Sequence, residues 1–286
     1  MDNSVSFVVR SLTCKRDFKM AVTSYNSFLS NCQQSVKLIV HTDGSLSKDD
    51  INILYDSVPN VNVIDRKDQE EYVKDYLSKY PKCLKLRNET PLSNKILDIP
   101  ILEKHCVRFI DCDILFLRPF SGLFSNDASS RFCLEDDTGC SGRLIDMIKA
   151  SSNKILEGCN VGIFQMNKDL FDIDYIEWFL SNDKLCVFPG MLDQTLYSIF
   201  MGSGNSQYYK YEQISTSQKK ITISQDTIAL HFMNDLKKLF FEYDNNRQIL
   251  PSQENGFFQL EDARSLKYPY VIKRALSRRI SKLFKP

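Results

Sequence analysis

Asp111 and Asp113 stand one residue apart inside the apolar run Val107–Leu117. Such a run belongs in the middle of a parallel sheet, where an unpaired carboxylate is expensive. Two carboxylates are tolerated there if the strand ends at a pocket and a cation neutralises them. The spacing therefore points to a metal site, against the alternative of one turn-capping aspartate and one solvated one. Other polar groups recur at the ends of apolar segments: Arg10, Ser11, Asp43, Asp136, Asn160 and His231. Taken singly, each has a plain structural reading. His231 reads as a buried, hydrogen-bonded histidine, Asp193-Gln194 as a helix cap, Asn160 as a turn residue and Asp136 as part of a solvated acidic loop.

What would bring them together is the order of elements. Val5–Val9 reads as a first strand, followed by a polar turn at Arg10–Thr13 and a helix marked by Phe18, Ala21, Tyr25, Phe28 and Leu29. Val36–Val40 is a second strand closing at Asp43-Gly44-Ser45, and Ser47 with Asp50 three residues later marks the start of the next helix. Val61–Ile64 is a third strand. Residues 66–90 read as helix and loop, Leu92–Leu102 as a helix, Phe132–Leu134 and Val161–Met166 as strands, and Tyr175–Leu180 and Leu192–Phe200 as helices. Short strands are expected at 208–214 and 220–223, and Ala229–Phe232 ends the strand-like signals. Strand and helix alternate, as in an α/β domain with a largely parallel sheet. In such sheets ligands collect at the carboxyl ends of the strands, where these polar groups fall.

Composition narrows the class. A hydrophobic fraction of 43%, with 19 Phe and 13 Tyr, supplies a sizeable core and excludes disorder. A net charge of +1 argues against a nucleic-acid partner. Residues 267–286 hold seven of the 37 basic side chains and no acidic one, so a mildly acidic body carries a basic tail. The nine cysteines are scattered without a Cys-x-x-Cys pair, which points to a reducing cytoplasm. No signal-peptide pattern and no membrane-length apolar run is visible.

Phe109-Ile110-Asp111-Cys112-Asp113-Ile114-Leu115, Asn160-Val161-Gly162-Ile163-Phe164-Gln165-Met166-Asn167, Leu192-Asp193-Gln194 and His231 with Lys237 occur in this order. Together they resemble the successive signatures of GT-A-fold glycosyltransferases, over about residues 4–240. The resemblance is to the retaining branch that includes glycogenin and bacterial lipooligosaccharide galactosyltransferases. It implies a Rossmann-like, mixed but mostly parallel sheet flanked by helices, with the catalytic domain at 1–250 and an extension at 251–286. It implies that Asp111, Asp113 and His231 bind Mn²⁺ or Mg²⁺, and that Lys95 and Lys237 face the diphosphate of a nucleotide-sugar donor, UDP-linked. Arg10, Ser11, Thr13 and Asp43 would border its base and ribose. Asn160, Asp193 and Gln194 would hold sugar hydroxyls near the reacting carbon, with Asp193 the candidate general base of an inverting variant. The implied acceptor is a glycan or lipid-linked glycan in surface-polysaccharide synthesis. Three positions depart from the pattern: Val161 replaces a small residue, Asn234 replaces a glycine, and Arg10-Ser11 stands where the first turn usually carries an acid.

Two other classes are weighed. Asp111 also fits the nucleophile of haloacid-dehalogenase-type phosphatases, but that motif follows a chain's first strand. A non-catalytic nucleotide-sugar or glycan binder on the same fold would share the site without the reaction. His41 and His105 are read as structural, and Trp178 as core. Ile272, Leu276, Ile280, Leu283 and Phe284 repeat at helical spacing among basic residues, an amphipathic helix that would lie peripherally on an anionic membrane or pack on the domain.

Overall fold

The computed structural model describes residues 7–136, 139–152, 154–217, 220–246 and 254–267. β1 (Phe7–Thr13), β2 (Val36–Thr42) and β3 (Val61–Ile64) are joined by α1 (Phe18–Asn31) and α2 (Lys48–Ser57). Then come α3 (Glu70–Leu77), α4 (Pro81–Glu89) and α5 (Ile99–Leu102). β4 (Cys106–Ile110), β5 (Ile114–Phe116), β6 (Phe120–Ser121), β7 (Ser130–Leu134) and β8 (Cys159–Asn167) follow, with α6 (Leu144–Ala150) before β8. After α7 (Ile173–Leu180) and α8 (Leu192–Met201) lie β9 (Ser206–Tyr209), β10 (Ile214–Ser215) and β11 (Ala229–His231). α9 (Phe240–Asn245), β12 (Gly256–Phe257) and β13 (Leu260–Asp262) complete the described elements.

The main sheet has the order β13-β9-β7-β8-β4-β1-β2-β3. Pairing is parallel from β4 through β1 and β2 to β3 and between β7 and β9, whereas β8 runs antiparallel between β4 and β7. Side chains alternate between its two faces. Val107, Phe109 and Phe164 join the core beneath α3, α4, α7 and α8. Ile110, Ile163, Val9 and Val40 join the core beneath α1 and α2. Each such buried side chain contributes about 1.5–3 kcal/mol. The architecture is the α/β arrangement expected, and Ser47 caps α2 in a full capping box with Asp50.

Several expectations need correction. The first strand does not stop at Val9: β1 pairs with β2 in unbroken register from Phe7↔Val36 to Thr13↔Thr42. Arg10–Thr13 are therefore strand, and the turn begins at Cys14. The run Val107–Leu117 is not one strand, because the chain turns at Asp111–Asp113 and β5 leaves the main sheet to pair with β11. The strand expected at 208–214 is instead β9 and β10, and 220–223 forms none. Strands continue past Phe232, with β13 adding to the edge at β9 and β12 pairing with β6. Trp178 is 48% exposed, since it lies on the outer side of α7 against Tyr175. The basic amphipathic segment at 268–286 lies outside the described residues.

The helix expected at Leu92–Leu102 is present, but with a widened, π-type turn at Asn94–Asp98 in which the Ile99 N–H reaches back to the Asn94 carbonyl. Such turns insert one residue into a helix and occur often at functional sites. This one carries Lys95.

Candidate active site

Asp111 follows β4 and Asp113 precedes β5, so both carboxylates leave the turn between the two sheets. The Asp111 N–H donates to the Gly162 carbonyl at 2.7 Å, and the Phe232 N–H to the Asp113 carbonyl at 3.0 Å. The second bond continues the antiparallel ladder in which His231 pairs with Ile114. That register sets His231 Nε2 3.2 Å from Asp113 Oδ1 and 3.8 Å from Asp111 Oδ2. Space for the ring comes from β8: a Cβ on Gly162 would lie 2.3 Å from His231 Cε1.

Two lysines complete the cluster. Lys95 Nζ lies 3.0 Å from Asp111 Oδ1 and 3.2 Å from Asp193 Oδ2, over the Phe109 ring. Its backbone is fixed by the Tyr197 hydroxyl, which donates to the Lys95 carbonyl at 2.6 Å. Lys237 Nζ lies 3.0 Å from Asp113 Oδ2 and 3.3 Å from Asp17 Oδ2. Burial works to raise the Asp113 pKa, but His231 and Lys237 outweigh it and hold the carboxyl below the ordinary range. Asp111 is raised by burial, which Lys95 opposes only in part. Burial alone would depress His231, yet the two aspartates hold it above its usual value.

These groups face a pocket of about 440 Å³. Of the residues singled out from the sequence, Thr13, Asp43, Lys95, Asp111, Asp113, Asp193 and Lys237 line it. His231 stands behind Asp113. Asn160 is buried beside His231; its Oδ1 accepts the Gly162 N–H at 2.9 Å and its Nδ2 donates to Glu135 at 3.1 Å. Gln194 is buried, and its Nε2 has no hydrogen-bond partner among the described residues. Arg10 and Ser11, like Asn160, Gln194 and His231, do not line the pocket wall. Arg10 is buried against Glu103 and His41, at 2.9 Å from each, and Ser11 exchanges a 2.9 Å hydrogen bond with Tyr25. Asn234, at the position where a glycine is usual, adopts φ +51°, a left-handed conformation that asparagine tolerates better than most residues.

Sequence reading missed Arg16 and Asp17, which line the pocket from the true turn after β1. Arg16 and Lys237 together hold Asp17 below the usual carboxylate range, the Arg16 hydrogen bonds being the larger cause. It also missed Glu135, which is buried rather than solvated. The turn was misplaced because β1 is longer than its apolar run.

A divalent cation fits this donor set. Asp111, Asp113 and His231 each offer a ligand atom, all within 4.8 Å of one another. Asp113 Oδ1, 3.2 Å from His231 Nε2, is buried without a hydrogen-bond partner among the described residues, which is costly unless something else meets it. Oxygens with an imidazole suit Mn²⁺ better than Ca²⁺.

No family model matches the chain, and no curated protein sequence matches it. Solved structures do. The galactosyltransferase LgtC, in complex with donor and acceptor sugar analogues, aligns over 86% of this chain and 97% of its own at 12% identity and TM-score 0.51. An active-site mutant of LgtC aligns over 84% and 95% at 11% identity and TM-score 0.53. The bifunctional glycosyltransferase WbbM aligns over 88% of this chain but 51% of its own, at 12% identity and TM-score 0.52. The chain therefore has the GT-A glycosyltransferase fold.

Proposed function

We propose that this chain is a metal-dependent glycosyltransferase. It would move a hexose from a UDP-linked donor to a glycan or lipid-linked acceptor in surface-polysaccharide synthesis, with retention of configuration. The observation that carries the reading is the coincidence of three cation-ligand atoms within 4.8 Å with two lysines on one pocket of a GT-A fold.

Asp111, Asp113 and His231 would hold Mn²⁺ or Mg²⁺, which when bound supplies charge neutralisation for the diphosphate as the sugar departs. Lys237 adds a second positive charge on the same side. Asp193 stands in the first turn of α8 and is tied to Lys95, so its charge is fixed where it can face the positive charge that develops on the sugar ring. This pairing favours an electrostatic role over that of a free general base. The Gln194 amide nitrogen, without a hydrogen-bond partner among the described residues, would be a donor for a sugar hydroxyl. Asn160 acts from behind, fixing Gly162 and hence the space for His231.

The test is a thermal-shift screen of UDP- and GDP-sugars with and without Mn²⁺. Bound ligand raises apparent stability by mass action, by about 2.7 kcal/mol at a hundredfold excess over Kd. A shift that requires both a nucleotide-sugar and Mn²⁺ is expected; no shift with any donor defeats the proposal.

A further inference from the structure

Asp17 occupies the N-cap position of α1, where a carboxylate ordinarily accepts an N–H of the first turn. It makes no such bond. Arg16 takes its oxygens instead, with Nε 3.1 Å from Oδ1 and Nη2 2.9 Å from Oδ2. Lys237 Nζ lies 3.3 Å from the same Oδ2 and 3.0 Å from Asp113 Oδ2. An unbroken line of opposite charges thus runs from Arg16 at the surface, through Asp17 and Lys237, to Asp113. The Asp17 side chain is only 12% exposed, whereas that of Arg16 is 80% exposed.

The line has a consequence at its inner end. With Lys237 on Oδ2, Asp113 has its other oxygen, Oδ1, 3.2 Å from His231 Nε2 and without a hydrogen-bond partner among the described residues. Lysine is a flexible chain with four rotatable bonds, so a single carboxylate partner would leave its ammonium free to wander. A second carboxylate from another element removes that freedom.

We propose that Asp17 is a positioning residue: braced by Arg16, it holds the Lys237 ammonium against Asp113 Oδ2. Asp113 then presents Oδ1 to a cation, and Lys237 faces the nucleoside diphosphate that arrives with it. This rests on the donor-site reading above. Asp17 acts only through Lys237.

The test is a double-mutant cycle on UDP binding, measured by calorimetry on the full-length chain in saturating Mn²⁺, with GDP run in parallel. Asp17→Asn keeps the size of the side chain and remains a good N-cap residue. Lys237→Met removes the ammonium and keeps the stem. Residues that act through one another give non-additive effects, so Asp17→Asn is expected to weaken UDP about tenfold with Lys237 present and less than about twofold in Lys237→Met. Asp17→Glu should recover most of the loss. Arg16→Gln, entering the same line one step earlier, is expected to weaken UDP about threefold, and it serves if Asp17→Asn does not fold. Equal losses in both backgrounds overturn the positioning role and leave the donor site standing. A wild-type protein that binds neither UDP nor GDP with Mn²⁺ overturns the donor site, and the role with it.

Discussion

Lys95 and Asp98 leave the same widened turn, and the two charge clusters they enter invite comparison. Asp98 meets Arg87, whose Nε and Nη2 lie 2.9–3.1 Å from its two oxygens, while Arg87 Nη1 meets Glu70 at 2.7 Å. Both Arg87 and Asp98 side chains are fully buried, and neither has an unpaired polar atom. Lys95 enters the other cluster, in which Asp111, Asp113 and Asp193 crowd a pocket and Asp113 Oδ1 and His231 Nδ1 have no hydrogen-bond partner among the described residues. The first cluster is closed and the second is open. A closed cluster satisfies every group and serves the fold, whereas an open one keeps like charges together for something that comes from outside.

The comparison breaks most visibly at Arg87. Arg87→Ala leaves Asp98 buried and uncompensated, and should cost about 3–5 kcal/mol of stability in denaturant unfolding. Replacing both partners, Arg87→Met with Asp98→Leu, should return most of it. A loss below about 1 kcal/mol for Arg87→Ala would mean that the closed cluster contributes no more than a surface pair.

The open cluster should answer differently. Asp111→Asn removes one of three crowded carboxylates, whose charge burial already disfavours. Unliganded stability should be unchanged or higher, while the Mn²⁺-dependent donor shift disappears and transfer falls about 10²–10³-fold. An Asp111→Asn protein that melts much earlier than wild type would place Asp111 with the structural ion pairs.

The smallest effect is expected at a third buried group. His41 is pushed down to about 3 from 6.5, by burial first and then by Arg10. Its neutral Nε2 accepts from Arg10, so the folded protein disfavours the proton that the unfolded chain takes up below pH 6.5. Stability from this group is complete above about pH 6.5 and declines as pH falls toward 3. His41→Gln should flatten that slope in unfolding curves taken between pH 4 and 7. An unchanged slope would assign the acid sensitivity to other groups.

Much of this was legible in the sequence, and the exceptions share a cause. Asp111 and Asp113 announce themselves because carboxylates in an apolar strand need a reason to be there. The alternation of strand and helix up to β3, α2 with its capping box and the Asn160-Val161-Gly162 entry to β8 could be read from local pattern. Arg16 and Asp17 could not, because the end of β1 is set by how far it pairs with β2 rather than by its own hydropathy. Glu135 resembles a surface acid until Asn160, 25 residues on, is folded against it. Trp178 was expected inside, since composition carries no information on which side of α7 faces the core. Each error concerns a partner distant in sequence.

Gly162 carries an implication for how such a site can vary. The volume a methyl would claim on β8 is held by the imidazole of β11, with 2.3 Å between that methyl and the ring. Positions 162 and 231 are therefore sterically tied: the space at one is taken by the side chain of the other. A side chain gained at the first would leave room only for a smaller residue at the second, and any cation held there would lose its imidazole.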